Sequence, residues 1–294
     1  MKEYIEDLKS FLEAKYRPKT AALYLFEIEQ YITNHPAAEN YKQSEVLKYI
    51  GELRNKNLKP ATINRKFASI KSYYQYLIKS GKRRDDPIKY VYLKDKYSRD
   101  VQLQDLLDED ELELLVSRPG CIRFPMLQSR NYIIISLLIY QAIRIRELDE
   151  LLLSDINVEK GKIKIRRQAK TNGRDLYLRE EQIKIFEQYI NEDRPKLLKG
   201  TKSEYLIIGQ RRNKMTGEDI TKHIIRHYRN YVPEKKINPQ IIRQSVITNL
   251  LKKGKDLRLV QVFAGHRYPD TTEKYKTNNV DELQREIEKY HPLK

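Results

Sequence analysis

The sequence is poor in cysteine, in long apolar runs and in negative charge, and each shortage narrows what the chain can do. A single cysteine, Cys121, excludes an internal disulfide and fits a reducing compartment, so a cytoplasmic protein is expected. The longest apolar run, residues 132–140, is interrupted by Ser136 and too short to span a bilayer. Residues 1–7 lack the charge-then-apolar pattern of a secretion signal. No repeat of fixed period is visible, which leaves out a solenoid. Acidic residues number 41 against 58 lysines and arginines, giving a formal charge of +17 and a pI near 9.6. Self-repulsion of that size calls for a polyanionic partner, nucleic acid before an anionic membrane surface.

A chain of 294 residues is comfortable for two cores. Apolar residues at helical spacing mark four helices in the first part: Tyr4, Leu8, Phe11 and Leu12; Leu25, Ile28 and Ile32; Val46, Ile50 and Leu53; then Ile63, Phe67, Ile70, Tyr74 and Leu77, closed by Gly81. Short connections make them a bundle, assigned to residues 1–86. The fourth helix interleaves Arg65, Lys66, Lys71 and Lys79 with Tyr73 and Tyr76, a pattern that suits either a DNA backbone or a solvated face. Residues 87–104 lack periodicity and read as a linker. A second domain, 105–294, opens on an acidic turn with capping-box spacing at Asp108 and Glu111. Its first long helix, from Asn131 to about Tyr140, is apolar nearly all round and belongs in the core. Alternation in residues 162–166 and at Leu176 and Leu178, around the turn signal Thr171-Asn172-Gly173, predicts a hairpin with Lys170 at or beside its tip. The fold class is therefore mainly α with a small β component.

The residues that bear chemistry cluster in this second part. Arg144 and Arg146 follow the core helix, where a charge needs Glu147 or an anion as partner. Asn238-Pro239 reads as an N-cap and first helical position, which puts Arg243 in the first turns beside an anion-attracting helix end. A helix from Asp256 to about Phe263 is closed by Gly265, leaving His266 just past its end. The spacing of Asp270 and Glu273 predicts a capping box for a third short helix containing Tyr275. A phenol ionises near pH 10, so a site using one as nucleophile must stabilise charge heavily, and arginine forks fit two phosphate oxygens at once.

Residues 142–148, the Lys170 hairpin, residues 239–243, and Gly265-His266 with Tyr275 together resemble the ordered motifs of the tyrosine recombinase (phage integrase) family, Xer- and integrase-like members in particular. The bundle, with residues 62–66 and Asp86-Pro87, resembles that family's core-binding domain, so nearly the whole chain is covered. The resemblance implies a four-helix core-binding bundle followed by an α+β catalytic domain, acting as a metal- and ATP-independent DNA strand transferase without cofactor. Arg144 and Arg243 would clamp the scissile phosphate, Lys170 would protonate the leaving 5′ oxygen, His266 would bond the phosphate, and Glu147 would fix an arginine from behind it. Tyr275 would attack and become a 3′-phosphotyrosine. The implied partners are double-stranded DNA, contacted also by Arg65, Lys66 and Lys71, and three further copies in a homo-tetramer on two sites, a dimer per site. An amphipathic helix over residues 281–290 would dock on a neighbouring protomer.

One position departs from the family pattern: Gln240 stands where the histidine of a His-x-x-Arg motif is usual. Its amide donates a hydrogen bond but cannot accept the phenolic proton. Two readings of function therefore stay open, a site-specific recombinase serving integration, excision or resolution of a mobile or circular element, and a catalytically weakened DNA-binding protein of the same fold. A relaxing topoisomerase with the same chemistry is a third. His223 and His227 have metal-ligand spacing but no acidic or cysteine partner, so no metal is expected. The basic run at residues 252–255 suits DNA or a solvated helix end equally. Tyr268 reads as structural.

Overall fold

The structure, a computed structural model, describes residues 2–93, 103–118, 125–168 and 171–275. Lys170, Cys121 and the helix expected over residues 281–290 lie outside the described residues. The chain divides into two compact units, Met1–Arg99 and Asp100–Lys294.

In the first unit, α1 (Lys2–Lys15), α2 (Pro18–Asn34), α3 (Gln43–Asn55) and α4 (Pro60–Lys79) form the helical bundle. Proline at the first position starts both α2 and α4, where a missing N–H costs nothing. Along α4, Ile63, Phe67, Ile70, Tyr74 and Leu77 recur at three- and four-residue steps and are buried with Leu8, Leu12, Ile28, Tyr31 and Ile50 in one core. Buried phenols need partners: the hydroxyls of Tyr31 and Tyr74 are 3.1 Å apart, and Tyr74 also donates to the Ala38 carbonyl at 2.9 Å. Two expectations are corrected here. Tyr73 and Tyr76 are 1% and 4% exposed, so they are core residues and not part of a DNA-tracking face. Ile88 and Val91, inside the stretch read as linker, are buried in this same core. Arg65, for its part, lies 2.9 Å from the carboxylate of Glu27, whose side chain is only 3% exposed.

The second unit opens with α5 (Glu109–Ser117), where Asp108 accepts from the Glu111 N–H at 2.9 Å and Glu111 accepts from the Asp108 N–H at 2.8 Å, the capping box that the spacing implied. Next come α6 (Gln128–Tyr140) and α7 (Ile145–Asp149), then the antiparallel sheet β1 (Ile156–Asn157), β2 (Lys162–Ile165) and β3 (Arg174–Tyr177). The chain continues through α8 (Glu180–Gln188), α9 (Arg194–Leu198), α10 (Gly217–Tyr228), α11 (Pro239–Lys252), α12 (Leu257–Ala264) and α13 (Pro269–Glu273). Ile133, Ile134, Ile135, Leu137 and Leu138 of α6 are fully buried, so this helix is the axis on which α5, α8 and α11 pack. Ile165 pairs with Arg174 and Gln168 bridges Thr171, so Asn172 and Gly173 lie on the returning side of the hairpin and do not form the tight turn that the sequence signal suggested. The third C-terminal helix also differs from expectation. It begins at Pro269 with Tyr268 as its cap, without a side-chain cap bond, and Tyr275 lies just beyond its end. Proline at the first helical position outweighs the carboxylate pattern that pointed to Asp270 as the cap.

Candidate active site

The end of the buried helix α6 sets the first arginine. Gln141 stops the helix and is fixed by bonds from its amide to the Tyr177 carbonyl at 2.8 Å and to Gln182 Oε1 at 2.9 Å. Ala142 then takes a left-handed φ of 44°, a conformation that costs a β-carbon-bearing residue of order 1 kcal/mol and turns the chain into α7. Arg144 is the residue before α7. Its N–H donates to Glu147 Oε2 at 2.8 Å, and its Nη1 donates to Glu147 Oε1 at 3.3 Å and to the Ala264 carbonyl at 3.1 Å.

Helix α11 sets the second. The Asn238 side chain accepts from the N–H groups of Gln240 and Ile241 at 2.9 and 3.0 Å, which fixes the start of α11, and Pro239 follows as its first residue. Arg243 is 6% exposed, and its guanidinium donates to the Ala142 carbonyl, to the Ala264 carbonyl at 2.6 Å and to His266 Nε2 at 3.2 Å. Arg144 and Arg243, 99 positions apart in sequence, thus meet at one oxygen, that of Ala264. Burial pushes the Arg243 guanidinium down to about 9, and the cations Arg144 and Arg174 act the same way, so it remains charged at neutral pH.

The end of α12 sets the histidine. Gly265 closes that helix at φ 63°, and His266 follows, 2% exposed. Its Nδ1 lies 2.8 Å from Thr272 Oγ1, and Gln261 holds its carbonyl at 3.2 Å. Burial, then the charges of Arg243, Arg144 and Arg174, drive its pKa down to about 3, so the ring is neutral. With Arg243 donating to Nε2, the proton is assigned to Nδ1, facing Thr272. The ring of Tyr275 stacks on His266 at 5.8 Å between centroids and 15° between planes. Tyr268, by contrast, is 62% exposed in front of α13.

Sequence reasoning missed Arg174. This first residue of β3 is 9% exposed, and its Nη1 and Nη2 bind the two oxygens of Glu147 at 3.0 Å each. Burial alone would raise the Glu147 carboxyl, but the bonds and charge of Arg174, with Arg144 behind it, hold it below the usual range. The signal was present: Arg174 shares the two-residue alternation of Leu176 and Leu178, so a charge stood on the inward face of a strand. Arg144 and Arg174 thus share the Glu147 carboxylate, and Arg243 feels its charge without bonding to it, an excess of cations among the described residues that favours an anion beside them.

Gln240 is exposed on the first turn of α11, one turn before Arg243. Gln168 and Thr171, which flank residues 169–170, pair with each other, and Thr171 also bridges to His266 while the Asn172 N–H meets the Gly265 carbonyl at 3.3 Å. The described flank of the hairpin loop is thus docked beside the histidine. A cavity of about 780 Å³ lies elsewhere, lined by Arg130, Lys214, Lys222, Arg226 and the His223–His227 pair. Burial, then the neighbouring His227, Arg130 and Arg226, takes His223 down to about 3, and Asp219 lines the same cavity; among the described residues no group of three or more side chains that could hold a metal ion is found.

The model of the phage integrase family matches residues 105–282, and that of the phage integrase N-terminal SAM-like domain matches residues 1–81. The tyrosine recombinase XerD of Oceanobacillus iheyensis is 28% identical over 302 residues, spanning 99% of each chain. That of Proteus mirabilis is 30% identical over 236 residues, 80% of this chain and 73% of the relative. Among solved structures, the Tn1549 transposon integrase in complex with transposon right end DNA aligns with a TM-score of 0.68 at 20% identity, over 96% of this chain and 99% of that one. The XerH recombinase bound to its difH substrate aligns with a TM-score of 0.69 at 20% identity, over 92% and 78%. At that identity the two structures establish the shared fold.

Proposed function

The chain belongs to the phage integrase family and is a tyrosine-type site-specific recombinase, and from that premise we propose that Tyr275 is its nucleophile and that Arg144, Arg243 and His266 hold the scissile phosphate. The observation that carries this reading is the convergence of both arginines on the Ala264 carbonyl, with His266 and the stacked Tyr275 beside them. An oxygen of the phosphodiester takes the place of that carbonyl as the shared acceptor. The Tyr275 Oη–P bond forms as the P–O5′ bond breaks, the phenolic proton passes to solvent water, and the Lys170 ammonium delivers a proton to the leaving 5′ oxygen. The phosphate remains as a 3′-phosphotyrosine, and attack by a 5′ hydroxyl reverses the step, so the ester energy is kept and ligation needs no ATP. Charge building on the phosphate is stabilised by guanidinium groups already in place, which is how such sites lower a barrier without reorganising.

The substrate is duplex DNA: the basic charge of the chain suits it, and the Tn1549 integrase structure holds transposon right end DNA. Arg65, Lys66 and Lys71 serve the bundle's share of that contact. Paired sites held by four copies serve integration and excision or resolution of a mobile or circular element. A second reading, DNA binding with weakened cleavage, is favoured by Gln240 alone, since a glutamine cannot act as the base.

A pool of nicked duplexes randomised around the nick tests both. On a denaturing gel the protein is expected to run as a covalent DNA adduct in chelator and without ATP, and Tyr275→Phe is expected to lose it. Gln240→His should raise the single-turnover rate, up to the roughly 10²–10⁴-fold that acid–base assistance contributes. No adduct from either the natural chain or Gln240→His would leave DNA binding as the function.

A further inference from the structure

We propose that Arg174 is a positioning residue for DNA cleavage: by binding both oxygens of Glu147 it keeps that carboxylate from capturing Arg144, which stays available to the scissile phosphate. The inference rests on the reading of Arg144 as a phosphate clamp. Among the described residues Glu147 is the carboxylate that both Arg144 and Arg174 bind, and its side chain is 1% exposed, so water does not compete for it. A buried carboxylate takes whatever donors are within reach.

Its present allegiance is unequal. Arg174 gives it two parallel bonds of 3.0 Å in the fork geometry that matches a carboxylate, with a side chain 4% exposed. Arg144 gives it a single side-chain bond of 3.3 Å and keeps 27% of its side chain exposed. The tightly held partner is therefore the arginine that faces away from solvent, and the loosely held one is the arginine that an entering phosphate can reach.

Arg174 is itself fixed from the other side. A β-carbon built on Gly265 would lie 2.5 Å from its Nη1 and 3.0 Å from its Cζ, so the guanidinium lies directly against the glycine that precedes His266. The side chain thus spans from β3 to the end of α12 and carries the carboxylate between them. It does not touch the shared acceptor: both of its terminal nitrogens are committed to Glu147. A buried ion pair is a poor source of stability compared with an apolar pair of the same volume, so its retention here is better explained by what it does to Arg144.

The test compares single-turnover adduct formation on two nicked substrates, one with the natural phosphodiester at the scissile position and one with a methylphosphonate. Replacing a non-bridging oxygen by methyl removes the charge that an arginine clamp stabilises, while the Oη–P bond still forms and the P–O5′ bond still breaks. In Arg174→Met, Glu147 turns to Arg144, and cleavage of the phosphodiester is expected to fall by ~10²-fold, the scale of one lost transition-state donor. On the methylphosphonate the same variant should stay within ~5-fold of the natural protein, as Arg144→Ala should, because that substrate asks little of the clamp. Arg174→Lys, which keeps the charge but not the fork, should fall between. An equal loss on both substrates would mean that Arg174→Met has disturbed Tyr275 or His266, and an unchanged rate would mean that Glu147 leaves Arg144 alone; either overturns the proposal. Should Arg174→Met fail to melt cooperatively, Arg174→Lys carries the comparison and the same two outcomes decide. If the natural protein forms no adduct, the reading of the site itself fails, and that result is separate from the behaviour of Arg174.

Discussion

Arg144 and Arg243 were legible as residues because each stands at a punctuation mark, the first after a helix that is apolar nearly all round and the second three positions after Asn238-Pro239-Gln240. The same positions are useful, since a helix end holds each arginine where the two meet at the Ala264 carbonyl. His266 carries the clearest measurable consequence. It and His223 are both neutral when folded, with pKa values of about 3 against 6.5 unfolded, mainly through burial. The folded chain therefore binds fewer protons than the unfolded one below pH 6.5, and stability present above that pH is lost as the pH falls towards 3. Between pH 6.5 and 4.5, where most carboxylates stay ionised, urea unfolding of the second unit should lose up to about 4 kcal/mol, and His266→Asn should remove about half of the slope. A midpoint that does not move over that interval would show that neither ring is held neutral. Arg174 was not read from the sequence because a strand of four residues gives too short an alternation for one inward charge to stand out. The role of Lys170 was read from family resemblance, and the residue lies outside the described residues.

At the scale of elements, helices were legible wherever proline, glycine or a capping box marked an end. Pro18, Pro60 and Gly81 punctuate the apolar spacing of the bundle helices and Gly265 closes α12, whereas α6 was legible from its nearly all-round apolar surface. The hairpin was read in outline only: its strands alternate as expected, but Thr171 also pairs at long range with His266, which no local turn signal encodes. The start of α13 moved because two cap signals competed. Gly265 joins these elements, since it ends α12, presents its carbonyl to Asn172 and makes room for Arg174. Gly265→Ala adds a β-carbon at a left-handed φ of 63° and pushes on the Arg174 guanidinium. It is expected to destabilise the second unit by ~1–3 kcal/mol in thermal melts, and to slow adduct formation by more than the lost folded fraction explains. An unaltered cleavage rate in a destabilised variant would separate the glycine's structural part from the site.

At the scale of the whole chain there are two separate cores and an excess of positive charge, which suits a polyanionic partner such as DNA. The sequence pattern left Tyr73 and Tyr76 open to a DNA-facing or a solvated surface, and packing puts both in the core instead. Composition reports that a helix is rich in tyrosine and lysine, but the face on which each residue falls is settled by packing. What the sequence pattern did carry across this scale was order, with arginine, hairpin, arginine, histidine and tyrosine succeeding one another along the chain and all but the hairpin tip now placed around the Ala264 carbonyl. The most direct test of that arrangement is to trap the covalent adduct on nicked DNA, digest protein and DNA, and locate the attached nucleotide by mass spectrometry. The account predicts a 3′-phosphodiester on the Oη of Tyr275, absent when Arg243 is replaced by alanine; attachment at Tyr268 or at any other side chain would contradict it.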